Sequence, residues 1–235
     1  MDTTTDSDPR AKRQTRRLQR RLRRATARGL LDGILSQLRP GDIALDCGAN
    51  VGEIAEPLAQ TGATVFAFEP DPLAFDALVR RLAPYPAARA IHAAVGATPG
   101  RATLRRSARF DGDPLAATTS STLETGKRDA DASGANDVEV DVLPLPALIA
   151  ALAAGDVPPP LTGRPGRLAL LKLDVEGSEL DLLPALHAAG LLDAIACTLV
   201  ETHQRKFPDR RRDFLAMRRE IAAAYPARKV NLDWI

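Results

Sequence analysis

The sequence predicts an α/β fold, a doubly wound and mostly parallel sheet that follows a basic helical extension. Short apolar segments at 42–46, 64–68 and 88–92 alternate with helical segments, which is the rhythm of βαβ units. Further along, residues 168–173 are apolar on both faces apart from Lys172, as expected of a strand buried inside a parallel sheet. These observations predict one sizeable α/β core.

The chain length and its breaks predict how the domain is organised. A chain of 235 residues suffices for one such domain with an extension. We expect the extension over 1–39 and the domain over 40–235, because the Pro-Gly pair after residue 39 disfavours a continuing helix. Residues 97–145 break the strand–helix rhythm, and two interpretations are open: a lid over the ligand crevice, or a loose insertion. After the last helix there is room for about one strand, so we expect an incomplete sheet edge that favours a homodimer or coverage by the extension.

The extension is strongly basic. Between Arg10 and Arg28 the chain has ten basic residues and no acidic one, although its net charge is only +2. Such a helix can bind nucleic acid through phosphate contacts. Apolar residues at helical spacing from Leu18 to Leu38 favour instead a helix that packs one stripe on the domain and exposes its arginines. With a polar, acidic start and no apolar run of membrane-spanning length, the sequence predicts a soluble cytoplasmic protein without a membrane partner.

A glycine-spaced turn follows the first predicted strand. Gly48, Asn50 and Gly52 form the turn, and Asp46 and Glu53 flank it. A dinucleotide fold usually places closely spaced glycines under a pyrophosphate, and two flanking carboxylates would repel that anion. The turn therefore predicts a cationic cofactor.

A carboxylate ends the second predicted strand. Glu69 follows the turn by about 20 residues, the separation at which an acid on the neighbouring strand can accept hydrogen bonds from the two hydroxyls of a cofactor ribose. S-adenosyl-L-methionine carries a sulfonium, an ammonium and a ribose, so it suits both the turn and Glu69. The two strand tips together predict a pocket for this cofactor.

Four ordered motifs resemble one protein family. They are LDCGANVGE at 45–53, AFEPDP at 67–72, LKLDVEGSE at 171–179 and VETH at 200–203. In this order, over roughly residues 40–205, they resemble the FkbM family of S-adenosyl-L-methionine-dependent methyltransferases. The resemblance implies a Rossmann-like fold, S-adenosyl-L-methionine as the cofactor, and methylation of oxygen on natural products and sugars.

The strand tips supply the predicted cofactor contacts. We expect Glu69 to accept from the ribose, the turn to lie under the methionine end, and Asp46 to orient it through backbone or water contacts. Asp71 is expected near the adenosine, and Ala94 is expected to border the adenine. The full predicted set is Asp46, Gly48, Asn50, Gly52, Glu69, Asp71 and Ala94.

The predicted catalytic residues follow the two later strands. Asp174 and Glu176 come at a strand tip that faces the crevice, where we expect them to contact cofactor and substrate. His203 follows the next strand and is the predicted base, because a histidine titrates near neutrality. A divalent ion shared by Asp174, Glu176, Glu201 and His203 is an open alternative. The sequence predicts no metal, because these residues lack a tight metal-binding spacing.

The sequence is compatible with three functions. The first is methylation of a hydroxyl on a small metabolite, natural product or glycan. The second is methylation of nucleic acid with the arginine-rich helix as an arm, but the chain lacks an Asn/Asp-Pro-Pro-Phe/Tyr loop that would hold an extruded base. The third is a scaffold without turnover, which the complete set of cofactor motifs disfavours.

Overall fold

The computed structural model describes residues 9–128, 130–131 and 133–234. Its strands are β1 (Asp42–Cys47), β2 (Thr64–Phe68), β3 (Ala88–Ile91), β4 (Ala94–Gly96), β5 (Gly100–Leu104), β6 (Val138–Pro144), β7 (Arg167–Leu173), β8 (Cys197–Val200) and β9 (Val230–Asn231). Its helices are α1 (Pro9–Gln37), α2 (Ala55–Gln60), α3 (Pro72–Leu82), α4 (Pro114–Ala117), α5 (Leu145–Ala153), α6 (Glu179–Ala188), α7 (Leu191–Ala194) and α8 (Arg211–Ala224).

Six of the strands form one sheet in the order β3-β2-β1-β7-β8-β9, and every neighbouring pair is parallel. The doubly wound α/β fold predicted from the sequence is therefore confirmed. The chain leaves β1 toward β2 on one side and returns beside β1 with β7 on the other. Ligands bind outside the carboxyl ends of the strands at such a reversal point, so the tips of β1 and β7 mark the expected crevice.

Both faces of this sheet are buried. Ile43 and Leu45 of β1 contribute to an apolar cluster with residues of α5, α6, α7 and α8. Ala44, between them, points to the other face and joins a cluster with residues of α1, α2 and α3. Alternate residues of a strand face opposite sides, so β1 is covered on both faces. This explains why three consecutive residues of β1, Ile43 to Leu45, are all apolar.

Among the side chains of α1 that the structure describes, those that pack against the domain lie in its second half. Ala27, Leu31 and Leu38 are buried in the cluster that also holds Trp234. Leu18 and Leu22, in contrast, are each 59% exposed. The packed stripe predicted from Leu18 onward thus begins only at Ala27, because the first half of the helix extends past the domain surface. Among the helices of the described residues, none combines the length and the hydrophobicity needed to cross a bilayer.

The insertion at 97–145 supplies two strands, β5 and β6, of a second, smaller sheet, and β4 just before it supplies the third. β6 pairs with β5 in antiparallel and with β4 in parallel orientation. Between β5 and β6 the chain forms α4 and a 3₁₀ turn, Thr118–Ser120. The edge strand of the main sheet next to β8 is β9, which has only two residues. No hairpin follows β9 within the described chain. The homodimer stays a prediction.

Candidate functional site

The turn after β1 has a backbone that requires its glycines. Gly48 has φ +78°, and a Cβ there would lie 1.8 Å from the carbonyl oxygen of Asp174, so no side chain fits. At Gly52 the φ is +89°, and a Cβ would lie 2.9 Å from Leu78. Asn50 adopts a left-handed conformation with φ +48°, which asparagine tolerates better than most residues. The turn therefore passes very close to the tip of β7.

Glu69, at the tip of β2, holds this turn in place. Its Oε2 accepts from the backbone N–H of Asn50 at 2.8 Å, and its Oε1 accepts from the N–H of Asp71 at 2.8 Å. Burial raises the pKa of Glu69 to about 7, although the two amide donors lower it in part. Each carboxylate oxygen has a second acceptor direction, so Glu69 can still accept from a diol.

Asp46 lies behind the turn instead of facing the crevice. Strand register places it beside Lys172 on the same face of the sheet, and the Lys172 Nζ lies 3.1 Å from its Oδ1. Burial raises the pKa of Asp46, and the charge of Lys172 opposes this shift. The same Nζ donates to the carbonyl oxygen of Gly48 at 2.7 Å. Any influence of Asp46 on a cofactor therefore passes through Lys172 and the backbone of the turn.

Asp71 has partners that keep it away from the expected adenosine contact. Its carboxylate is fully buried, caps α3 by accepting from the N–H of Leu73 at 3.0 Å, and does not line the crevice. Two guanidinium nitrogens of Arg106 donate to it at 2.9 and 3.0 Å. We therefore correct the expectation for Asp71, because its carboxylate lies outside the crevice and three of its four acceptor directions are used to cap a helix and to anchor the insertion. Ala94, in contrast, lines the crevice.

The crevice is a cavity of about 540 Å³ at the carboxyl ends of β1, β2, β7 and β8. This volume lies in the range of pockets for small molecules and cofactors. Of the described residues that line it, six are acidic and one, Lys172, is basic. The acidic residues are Glu53, Glu69, Asp113, Asp174, Glu176 and Glu201. Such a lining suits a cofactor with a sulfonium and an ammonium group and disfavours a pyrophosphate, so the residues present fit S-adenosyl-L-methionine.

The insertion forms the roof of this cavity. Asn50 Nδ2 donates to Thr118 Oγ1 at 2.8 Å, and Thr122 Oγ1 donates to the carbonyl oxygen of Glu176 at 2.6 Å. Several residues between 113 and 123 line the cavity. Of the two interpretations left open by the sequence, this placement supports a segment that covers the crevice from the turn to the tip of β7.

An acid–histidine cluster lies where the tips of β7 and β8 meet. His203 is 3% exposed, and its Nδ1 lies 2.8 Å from Glu179 Oε1. Its other ring nitrogen, Nε2, faces one carboxylate oxygen from each of Asp174, Glu176 and Glu201, at 3.6, 3.5 and 3.6 Å. Glu176 enters the cluster with a left-handed backbone, φ +50°. The structure thus brings all three predicted catalytic residues together.

The environment of His203 changes its predicted role. Burial alone would lower the pKa of His203, but the hydrogen bond with Glu179 and the neighbouring carboxylates raise it to about 9. Burial and the charge of Asp174 raise the pKa of Glu201 to about 7. Asp174, Glu176 and Glu201 line the cavity, whereas His203 does not. We therefore correct the assignment of His203 as the direct base, because carboxylates separate it from the space that an acceptor would occupy.

Three further cations belong to the site. Lys206 Nζ donates to both carboxylate oxygens of Glu176 at 2.6 and 2.7 Å, and Lys127 Nζ lies 3.1 Å from Glu176 Oε2. Arg106 anchors the insertion as described. Sequence reasoning identified none of the three. Lys206 follows His203 by three positions, so its closeness to the fourth motif was a signal that could have identified it. Lys127 and Arg106 lie in the insertion, and no local sequence pattern distinguishes them.

Comparison with known proteins places the chain in a family. One solved structure, a TehB-like SAM-dependent methyltransferase from Corynebacterium glutamicum, is similar to 36% of this chain at 27% identity with a TM-score of 0.22. The chain matches 45% of that protein's length, so the likeness is too partial to bear on the fold. No curated protein matches the chain. A family model described as the methyltransferase FkbM domain matches residues 46–227, which is most of the chain. The chain therefore belongs to the FkbM family of S-adenosyl-L-methionine-dependent methyltransferases.

Proposed function

We propose that this protein methylates a hydroxyl oxygen on a small metabolite, natural product or glycan. The observation that carries the proposal is that one cavity joins the turn and Glu69, which suit the cofactor, to three carboxylates at the tips of β7 and β8. Carboxylates bind hydroxyl groups by accepting their protons in hydrogen bonds. An acceptor hydroxyl held there lies in the same enclosed space as the cofactor.

The chemistry needs a methyl donor and a route for one proton. When bound, S-adenosyl-L-methionine would supply an electrophilic methyl group, and an acceptor oxygen would form the C–O bond as the S–C bond breaks and its electron pair stays on sulfur. The acceptor hydroxyl proton passes to Asp174 or Glu201, whose side chains are 29% and 30% exposed at the cavity. A positioned base of this kind typically contributes about 10² to 10⁴ in rate.

The other residues of the cavity bind and orient. Glu69 accepts from the ribose, while Lys172 fixes the turn through the carbonyl oxygen of Gly48. Thr118, bonded to Asn50, keeps the insertion over the cofactor end. Holding the two reactants in line can lower the activation barrier by about 7 to 11 kcal/mol. A closed roof also excludes water from the reaction. The insertion therefore lies where it can contact both the cofactor and the acceptor.

A methyl-transfer assay with a panel of acceptors tests the proposal. Purified protein is incubated with methyl-labelled S-adenosyl-L-methionine and with sugars, glycosides, macrolides, matched amino sugars and RNA. We expect label on a hydroxyl oxygen of one of the small acceptors, located by mass spectrometry and NMR. Transfer to nitrogen, or to RNA alone, would overturn the proposal. Transfer to no acceptor, although the cofactor binds, would favour a scaffold without turnover.

A binding measurement precedes that assay. S-adenosyl-L-methionine at 100 times its dissociation constant should stabilise the protein by about 2.7 kcal/mol, and NAD should have almost no effect. The Glu201→Gln and Asp174→Asn variants should retain this stabilisation and lose turnover, since their carboxylates serve the acceptor.

A further inference from the structure

We propose that Asp174, Glu176 and His203, with Glu201 beside them, form a binding site for one divalent cation of the Mg²⁺ or Mn²⁺ class. The sequence favoured a histidine base over a metal at this position, and the geometry reverses that preference. The binding itself is independent of the proposed function. Only the role of the cation in holding an acceptor hydroxyl rests on that function.

The first observation is an unpartnered nitrogen. His203 Nε2 is buried and has no hydrogen-bond partner among the described residues. A buried polar atom without a partner is rare and costs about 1 to 3 kcal/mol. This nitrogen points at the oxygens of Asp174, Glu176 and Glu201, so the atom and the acids converge on the same space.

The second observation is the spacing of the facing atoms. The three Nε2–oxygen distances are 3.5 to 3.6 Å, longer than a charged hydrogen bond. Neighbouring ligands of an octahedral ion at about 2.1 Å lie about 3.0 Å apart, so these atoms need to close by only about half an ångström around a shared cation. Ligand atoms of Asp174, Glu176 and His203 all lie within 4.8 Å of one another. The gap therefore suits a shared cation better than a direct contact.

Glu179 prepares the histidine as a ligand. Its Oε1 accepts from the backbone N–H of His203 and faces the ring Nδ1, both at 2.8 Å. Because the pKa of His203 is raised to about 9, Nε2 carries a proton near neutral pH, and a cation binds there by displacing it. The bond with Glu179 then keeps the remaining proton on Nδ1 and leaves the lone pair on Nε2. Metal-binding histidines almost always have such a carboxylate or carbonyl partner on the other nitrogen, which fixes the ring and raises its basicity.

The neighbouring lysines adjust the charge of the cluster and leave room for the cation. Lys206 and Lys127 bind Glu176, and Lys172 lies 3.6 Å from Asp174 Oδ2, away from the oxygen that faces His203. Each carboxylate oxygen has two acceptor directions, so Glu176 can accept from Lys206 and bind a cation. Three carboxylates and one imidazole form a hard, oxygen-rich set that suits Mg²⁺ or Mn²⁺ better than a thiophilic metal.

The position of the site gives the cation a role in the proposed reaction. Asp174, Glu176 and Glu201 line the cavity, so a cation among them faces the space assigned to the acceptor. A bound divalent ion lowers the pKa of a hydroxyl that coordinates it and fixes its orientation. The site therefore predicts an acceptor with a hydroxyl group that can reach the tips of β7 and β8.

Titration with Mn²⁺ tests the binding without cofactor or acceptor. Chelator-treated protein is titrated with Mn²⁺ while electron paramagnetic resonance records the free ion, and Mg²⁺ is then added as a competitor. We expect one bound Mn²⁺ per chain. Glu201→Gln and Asp174→Asn should each weaken its affinity at least about tenfold. The matched control is Asp141→Asn, whose carboxylate is exposed on β6 and should leave Mn²⁺ binding unchanged.

The outcomes are separable from those of the methyl-transfer assay. Circular dichroism of the Glu201→Gln and Asp174→Asn proteins verifies their folding, and their side chains are exposed enough for the change to be accommodated. Absence of Mn²⁺ binding at millimolar concentration, or equal binding by both variants and the parent, would overturn the site. Failure to methylate any acceptor would refute the proposed function and leave a positive Mn²⁺ titration standing.

Discussion

Glu69 combines two demands at the level of a single residue. It ties the turn to the tip of β2 through two backbone amides, and it is the predicted ribose acceptor. Burial raises its pKa to about 7, so without a ligand it contributes stability below pH 4.5 that is lost as the pH rises through 7. The shift corresponds to about 3 kcal/mol at full effect. A diol that donates to the carboxylate favours its ionised form and offsets this loss.

Cofactor affinity should therefore depend on pH through Glu69. Because its pKa lies at about 7, the carboxylate is mostly neutral at pH 6 and mostly ionised at pH 8. We expect the affinity for S-adenosyl-L-methionine to rise about tenfold over this interval. Calorimetric titration at several pH values measures it. The control is Glu69→Gln, which cannot titrate at residue 69, whereas any titration of the ligand itself is the same for both proteins. If the two proteins showed the same dependence of affinity on pH, Glu69 would not be the group that binds the ribose.

The close contact at Gly48 can be tested by comparison with Gly155, which has a similar positive φ but open space where a Cβ would lie. In Gly48→Ala the new Cβ meets the carbonyl oxygen of Asp174, so we expect a loss of about 3 kcal/mol or more in unfolding free energy and of cofactor binding. Gly155 has φ +83° with nothing within 4 Å, so Gly155→Ala should cost only about 1 to 2 kcal/mol. Urea denaturation measures both. Similar losses would show that contact with Asp174 is unimportant.

Local motifs determined which parts of the site could be predicted at this scale. The turn and Glu69 were predictable because each needs only a few adjacent residues and a known separation along the chain. The roles of Asp71 and His203 were not, since they depend on partners far along the chain, Arg106 and Glu179. The separations are 35 and 24 positions, and no single-sequence pattern relates them.

At the scale of elements, the insertion is attached to both halves of the cavity. Arg106 binds Asp71 at the tip of β2, and Thr122 binds Glu176 beyond β7. The alternation of apolar strand segments with helical segments predicted the main sheet, because the hydrophobic period and the length of each segment can be read from adjacent residues. The attachment of the insertion was not predictable, because small polar residues are compatible with both a loose segment and a packed one. Tertiary hydrogen bonds decide between these states.

The Arg106–Asp71 pair should anchor the insertion. Arg106→Met leaves the fully buried Asp71 carboxylate without its guanidinium partner, and we expect a loss of about 3 kcal/mol or more in unfolding free energy. Faster amide hydrogen exchange should follow in 105–125. The control is Arg101→Met, since the Arg101–Asp141 pair is exposed and should contribute less than about 1 kcal/mol. Unchanged exchange in the Arg106 variant would mean that other contacts hold the insertion.

At the scale of the whole molecule, the chain separates into a domain that carries the site and a basic helix that lies partly outside it. The described arginine side chains in the first half of α1 are exposed, and the buried residues of this helix begin at Ala27. The second half covers the face of the sheet opposite α5 and α6. Methylation of nucleic acid would require the basic first half of α1 to bind the phosphates. The proposed methylation of a small acceptor requires neither the charge nor the length of that half.

Two truncations separate these parts. Every side chain that the structure describes within residues 1–25 is exposed, so removing these residues should change the unfolding free energy by less than about 1 kcal/mol, with cofactor affinity and small-acceptor turnover retained. Removing 1–38 also deletes Leu31 and Leu38, and the lost burial should cost about 3 kcal/mol or more. Thermal denaturation and calorimetric titration with S-adenosyl-L-methionine measure both. If the shorter truncation abolished turnover while cofactor binding persisted, the basic helix would have to engage the acceptor, and nucleic acid would become the favoured substrate.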